Sequence, residues 1–257
     1  MFAEERKQRI LAALQRSSAV RIAELGRELR TSHASVRRDL ADLERAGLLK
    51  RTHGGAVNAR LAVLEPSVAE KQDRYRSEKA AIARLAASLV EPGDTILLDS
   101  GSTTRQIAIE LRHRQGITIV TNALNIAWEL ASSELEVILT GGQLRRGILS
   151  QVGPIAERAL ATLHVDKLFL AANGVDLVKG VTTPNLHEAE TKRAMVGSAT
   201  EVVLVADHSK FGRVTFGRIC AIDRLNVVIS DDGLAHETRA AIQKLGVKVL
   251  LPERLPA

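Results

Sequence analysis

Apolar positions recur at helical spacing three times before Gly47. In "EERKQRILAALQRS", Ile10, Leu11 and Leu14 share one face; in "VRIAELGRELR", Ile22, Leu25 and Leu29 do the same. Val36, Leu40 and Leu43 then stand at i, i+4 and i+7 of "SHASVRRDLADLERA", the buried stripe of a third helix. Ser32 suits its N-cap and Gly47 its C-terminal stop. "LLKRTHGGAV" follows, two short extended pieces around His53-Gly54-Gly55, which predicts a hairpin wing. Three helices and a wing over residues 1–57 make a winged helix-turn-helix.

Residues 58–76 carry no clean period, contain Pro66 and are densely charged, the pattern of a connector, with a helix resuming near Ser77. Over 77–257 the pattern changes. "TILLD" (95–99), "ITIV" (117–120), "EVILT" (136–140), "KLFLA" (167–171), "VVLVA" (202–206), "NVVIS" (226–230) and "VKVLL" (247–251) read as buried strands. Helical stretches separate most of them, so this region is predicted to be a doubly wound α/β sheet, largely parallel. Trp128 lies in one of those stretches and is assigned to the core. The segment 182–196 is a capped helix whose Glu188, Glu190, Lys192 and Arg193 are expected on a solvated face.

Charge sharpens the division. Residues 1–60 hold 13 Lys/Arg against 7 Asp/Glu, whereas residues 61–257 hold 23 of each, so the whole net charge of +6 belongs to the first segment. A polyanionic partner is implied for it. On the third helix a step of about 100° per residue puts Arg38 nearly opposite Val36, with Arg37 and Ser35 flanking it. Small residues and guanidinium forks are what a helix entering the major groove of double-stranded DNA requires. The candidate contacts are Ser32, His33, Ser35, Arg37 and Arg38 from the helix, and Arg51, His53 and Gly54 from the wing, which would follow the phosphates.

In open α/β sheets ligands bind beyond the carboxyl ends of the strands. Those positions are chemically alike here. Asp99, Ser100, Gly101, Ser102, Thr103 and Thr104 follow the first run, with hydroxyls at a helix N-terminus suited to an anion. Thr121 and Asn122 follow the second, Gly141 and Gly142 the third, Asn173, Gly174 and Asp176 the fourth, and Lys210 the fifth. Together they suggest one pocket for a phosphorylated sugar.

Other classes recede. Cys220 is the only cysteine, the seven histidines lack ligand spacing, and nothing calls for a metal, a cofactor or a catalytic group. No apolar run nears the roughly 18 residues that cross a bilayer. The charged start "MFAEERKQRILAALQRSS" lacks a signal peptide's apolar stretch, so a cytoplasmic location is expected and no membrane partner.

"RKQRILAALQ", "IAELGRELRTSHASVRRDLADLERAGLLKRTHGGAV" and the "DSGSTT" and "DHSK" stretches together resemble the DeoR family of bacterial transcription regulators. The resemblance implies an N-terminal winged helix-turn-helix and a C-terminal sugar-phosphate sensor sharing the fold of ribose-5-phosphate isomerase. It implies repression of carbohydrate catabolism genes, relieved by a phosphorylated sugar, and it places Thr183 and Glu188 at the pocket's border. A homo-oligomer, dimer or tetramer, is expected, because a single module buries too little surface for selective operator binding.

Two rival readings bear on the same residues. "SGST", "NGVD" and Lys179-Gly180 also resemble loops of ribose-5-phosphate isomerase, which would make the chain an aldose–ketose isomerase. Asn173 stands where that enzyme's loop has an acid, leaving Asp176 alone as a carboxylate base, and the basic head has no metabolic use. An architectural DNA binder without a ligand is the third reading.

Overall fold

The computed structural model describes residues 3–16, 19–29, 31–46, 48–52, 54–58, 70 and 72–252. The chain divides into two compact units, Met1–Glu65 and Pro66–Ala257. Gly47, His53, Pro66 and most of the connector expected over 58–76 lie outside the described residues.

The first unit runs α1 (Ala3–Arg16), β1 (Ala19–Arg21), α2 (Ile22–Glu28), α3 (His33–Arg45), β2 (Leu49–Thr52) and β3 (Gly55–Asn58). Ile10, Leu14, Leu25, Leu29, Val36, Leu40 and Leu43 form its core, as the spacing predicts. Ser32 caps α3: its side chain accepts from the Ser35 N–H at 3.2 Å. Strands β2 and β3 pair antiparallel as the wing. The patterning missed β1, which pairs with β3 on the other side and gives the order β1-β3-β2. Three residues are too short to carry a period. The close approach does leave one sign: a Cβ on Gly55 would lie 1.8 Å from the Val20 carbonyl oxygen, so only glycine fits there.

The second unit begins with α4 (Arg76–Ala87) and continues β4 (Thr95–Leu98), α5 (Ser102–Leu111), β5 (Thr118–Thr121), α6 (Leu124–Leu130) and β6 (Glu136–Leu139). A hairpin, β7 (Gln143–Arg145) and β8 (Ser150–Val152), precedes α7 (Pro154–Ala161) and β9 (Val165–Leu170). Next come β10 (Gly174–Asp176), β11 (Gly180–Thr183), α8 (Leu186–Ser198) and β12 (Ala199–Val205). The unit ends with β13 (Gly217–Cys220), β14 (Val227–Ile229), α9 (His236–Lys244) and β15 (Lys248–Leu250).

All seven anticipated runs enter one parallel sheet, in the order β15-β14-β12-β9-β4-β5-β6. Helices cover both of its faces. Leu97, Leu168, Leu170, Val202 and Leu204 point into one buried layer with Met195 of α8 and Ile242 of α9. Ile96, Leu98, Phe169, Val203 and Val205 point into the other, with Ile82, Ile107 and Ile126. A strand buried on both faces reads as a continuous apolar run, which made the inner strands visible; the edge strands β6 and β15 are more exposed but carry the same aliphatic runs. The antiparallel sheet β10-β11-β13 and the β7–β8 hairpin were not anticipated; their strands are three or four residues long and mix apolar with polar or glycine positions.

Two expectations are overturned here. Trp128 is 81% exposed, because Ile126 and Leu130 occupy the inward positions of α6. Glu188 and Lys192 are each 2% exposed rather than solvated, whereas Glu190 does face solvent and pairs with Arg193. Along α8, Glu188, Thr191, Lys192 and Met195 lie at i, i+3, i+4 and i+7, and all four are buried. The polar pair sits on the inward stripe.

Candidate DNA-binding face and effector site

Helix α3 presents His33, Ala34, Arg37 and Arg38 to solvent, with Ser35 half-buried beside them. Its inward carboxylate, Asp39, is taken by Arg6 of α1 through Nε and Nη2. A planar fork closing on both carboxylate oxygens locks α3 against α1. Arg37 and Arg38 have no carboxylate partner among the described residues, so both guanidinium groups are available to an outside anion. The imidazole of His33 lies over Gly26, where a Cβ would come within 2.9 Å of the ring. On the wing, Arg51 is exposed but engaged: its Nε donates to Glu44 at 2.7 Å and its N–H to the same carboxylate at 2.9 Å. Arg51 therefore joins the wing to α3. Gly54 is exposed at the tip, and a Cβ there would meet nothing within 4 Å. His53 lies outside the described residues.

The second unit gathers its polar residues at the carboxyl ends of the parallel strands. Asp99, fully buried, follows β4 and accepts from the Ser100 N–H at 2.7 Å and the Ala171 N–H at 2.9 Å. The Lys192 ammonium closes on the same carboxylate and donates to the Ala171 carbonyl at 3.0 Å. Burial pushes the Asp99 carboxyl above its usual range, while the Lys192 charge and the two N–H groups oppose that push. This knot joins the ends of β4 and β9, where the strand order reverses.

Gly101 follows, and a Cβ there would come 2.9 Å from the Ala171 methyl. The chain turns into α5 with Ser102, Thr103 and Thr104 in its buried first turn; Thr104 Oγ1 donates back to the Gly101 carbonyl at 3.1 Å. First-turn amides have no acceptor within the helix, so they can receive an anion. Thr121 turns inward instead, donating to the Leu98 carbonyl at 2.7 Å. Asn122 donates to the Gln151 carbonyl at 3.1 Å, and the Gly141 N–H donates to the Gln151 side chain at 3.0 Å. Gly141 and Gly142 both have positive φ, 74° and 114°.

On the far side, Asn173, Thr183 and Glu188 form a chain. Thr183 Oγ1 lies 3.2 Å from Asn173 Oδ1 and 2.8 Å from Glu188 Oε2, and Arg145 pairs with that same Glu188 oxygen at 2.9 Å. Gly174 is required by packing, since a Cβ would meet the Arg213 carbonyl oxygen at 2.5 Å. Asp176 stands apart in use: its carboxylate accepts from Val178 and Lys179 N–H groups at 2.9 and 2.7 Å, closing the β10–β11 turn, and those bonds hold it below the usual carboxylate range. Lys210, on a single 3₁₀ turn over His208–Lys210, lies 3.7 Å from Asp207.

Among the described residues, several buried polar atoms along this edge have no hydrogen-bond partner: Ser100 Oγ, Asn122 Oδ1, both amide atoms of Asn125, Ser150 Oγ and Asp207 Oδ2. An unsatisfied buried polar group is unfavourable by about 1–3 kcal/mol; here Ser100, Asn122 and Asp207 follow β4, β5 and β12, while Asn125 and Ser150 lie on α6 and β8. Sequence reasoning named Ser100 and Asn122 but missed Ser150, Asn125, Arg145 and Lys192. The first three sit in or beside the short β7–β8 hairpin, whose position the pattern did not reveal. Lys192 had a legible sign, its shared stripe with Met195. Among the described residues no group of three or more His, Cys, Asp or Glu can hold a metal ion, and no helix is long and apolar enough to cross a membrane.

A helix-turn-helix head followed by an α/β body with a polar strand-end site defines a two-part DNA-binding regulator. Comparison with known proteins agrees: residues 6–60 match the DeoR-like helix-turn-helix domain and residues 74–232 the DeoR C terminal sensor domain. The HTH-type transcriptional regulator GlpR of Haloferax volcanii is 38% identical over 97% of this chain and 98% of its own. The transcriptional repressor AccR of Agrobacterium fabrum is 35% identical over 96% and 95%. The regulator GolR of Listeria innocua is 31% identical over 98% and 100%. The chain belongs to the DeoR family of transcription regulators, and it is a DNA-binding regulator rather than an isomerase.

Solved structures share the fold of the body loosely. Ribose 5-phosphate isomerase A of Methanocaldococcus jannaschii overlaps 53% of this chain and 55% of its own at TM-score 0.41 and 20% identity. Translation factor subunit eIF2B delta of Chaetomium thermophilum overlaps 61% and 56% at TM-score 0.45 and 16% identity.

Proposed function

We propose that the protein represses carbohydrate catabolism genes and is released from its operator by a phosphorylated sugar bound at the carboxyl edge of the parallel sheet. The observation that carries this reading is the set of buried polar atoms without hydrogen-bond partners among the described residues, on Ser100, Asn122, Asn125, Ser150 and Asp207, together with the first turn of α5. The first turn of α5 and Lys210 supply an anion subsite; Asn173, Thr183 and the Glu188–Arg145 pair supply acceptors and donors for hydroxyls. AccR, a relative along the full chain, is named a repressor. The head reads double-stranded DNA through Arg37 and Arg38, with Ser32, His33 and Ser35 beside them and the wing at the phosphates. Dimers or larger oligomers place two heads on repeated half-sites.

A thermal-shift screen of the full-length protein against phosphorylated sugars tests this. A ligand at about 100 times its Kd adds roughly 2.7 kcal/mol to stability. One sugar phosphate is expected to raise the melting temperature more than inorganic phosphate does; no response to any sugar phosphate contradicts the effector reading.

A further inference from the structure

Tyr75, the residue before α4, is the chain's only tyrosine and has left-handed backbone, φ 54° and ψ 44°. Among the described residues only Leu149 shares a positive φ without being glycine. A side-chain-bearing residue held there is strained and persists only where its surroundings over-determine it. The surroundings are specific. The Lys79 N–H donates to the Tyr75 carbonyl at 3.0 Å, and the buried Lys79 ammonium folds back onto the Arg74 carbonyl. The Tyr75 ring meets His208 edge to face, with centroids 5.0 Å apart and planes at 81°.

His208 is itself fixed. Its Nδ1 lies 2.6 Å from Asp231 Oδ1, and its backbone N–H donates to Asp231 Oδ2 at 2.8 Å. The Gly233 N–H donates to Asp231 Oδ1 at 2.9 Å, and a Cβ on Gly233 would strike the His208 ring at 2.6 Å. The imidazole thus has one place to stand. Two residues on, the same 3₁₀ turn carries Lys210, 3.7 Å from an Asp207 oxygen that is buried without a hydrogen bond.

In sequence, Tyr75 is where the chain arrives from the wing through residues 59–74. We propose that His208 is a coupling residue: it transmits anion occupancy at Lys210 to the strained backbone of Tyr75, and so to the segment leading to the DNA-binding head. The inference rests on the effector reading above. An anion that draws Lys210 away from Asp207 shifts the 207–210 turn, His208 moves with it, and the support for left-handed Tyr75 changes. A ligand that interacts unequally with the two arrangements moves their balance.

The test is one-dimensional fluorine NMR of the full-length protein labelled with 3-fluorotyrosine, in which Tyr75 gives the only protein resonance, with inorganic phosphate as the probe and a parallel thermal-shift titration. Phosphate is expected to stabilise the wild type and displace the resonance. His208→Ala keeps the stabilisation and loses most of the displacement, while His208→Phe, which retains an aromatic edge, recovers part of it. Stabilisation without displacement in the wild type overturns the coupling alone, as does full displacement in His208→Ala. Neither stabilisation nor displacement in the wild type overturns the anion subsite and the coupling with it.

Discussion

The Lys192 ammonium and the Asp99 carboxylate meet across 93 positions of sequence, both out of contact with solvent, and the Lys192 nitrogen also reaches the Ala171 carbonyl. That contact pins the end of β4 to the end of β9 directly beneath the Ser100–Thr104 turn. Removing one partner leaves an uncompensated buried charge, which is unfavourable by about 3–5 kcal/mol. Lys192→Met is therefore expected to lower the urea-unfolding free energy by about that much, and Asp99→Asn with Lys192→Met to recover part of the loss. Equal stability of wild type and Lys192→Met contradicts this role.

Arg38 and Arg51 have different surroundings and are expected to behave differently. Arg38 is exposed with no carboxylate partner among the described residues, whereas Arg51 is engaged by Glu44. Arg38→Ala is expected to weaken operator binding by about 1–3 kcal/mol and to narrow the gap between operator and random duplex. Arg51→Ala is expected to weaken both duplexes alike, because Arg51 braces the wing against α3 through Glu44 and a wing engages phosphates rather than bases. Fluorescence anisotropy at fixed salt separates the two; identical profiles contradict the division.

Gly55 admits no side chain, since its Cβ would sit 1.8 Å from the Val20 carbonyl oxygen. Gly55→Ala forces β1 and β3 apart and is expected to abolish duplex binding by the full-length protein. The body is expected to keep its response to sugar phosphates in thermal shift. Wild-type DNA affinity in this variant contradicts the close approach.

Asp94 pairs with Lys167 at 2.8 Å. Desolvation pushes its carboxyl upward, but the Glu91 N–H and Lys167 outweigh that and leave it below the usual range. A carboxyl lowered on folding contributes stability that is present above its unfolded value and is lost as pH falls through the folded one. Between roughly pH 5 and pH 2 the wild type is expected to lose stability more steeply than Asp94→Asn. Parallel acid titrations followed by circular dichroism contradict this.

Burial pushes the Cys220 thiol up to about 11. The thiolate is the reactive form, and at pH 8 it amounts to about a thousandth of the thiol. Iodoacetamide is expected to leave the folded protein unmodified over hours and to alkylate it promptly in urea; prompt alkylation of the folded protein contradicts the burial.

What the sequence disclosed follows from length and period. The seven parallel strands were legible because each falls in a run of aliphatic residues, which persists even in β6, exposed at the sheet edge, and α3 because Val36, Leu40 and Leu43 keep strict spacing. Strands β1, β7, β8 and β10 were not: their AVR, QLR, SQV and GVD lack the aliphatic run that marks even the three-residue strands β14 and β15. Ser100 and Asn122 were legible as strand-end residues. Ser150 and Arg145 reach the same edge only because the hairpin folds over it, with Ser150 bridging to Ala123 and Arg145 reaching Glu188. Trp128 and Lys192 went opposite ways for one reason: a side chain's burial depends on which stripe of its helix faces the sheet. On α8 the polar residues at 188 and 192 share the inward stripe with Met195.

Effector control of the DNA-binding head is the central claim. Its most direct measurement is the affinity of the full-length protein for a duplex selected from a random pool, with and without the sugar phosphate that stabilises it most. We expect affinity to fall at least about fivefold at saturation, within the usual range of coupling. Unchanged affinity, with thermal shift confirming a filled pocket, contradicts the account.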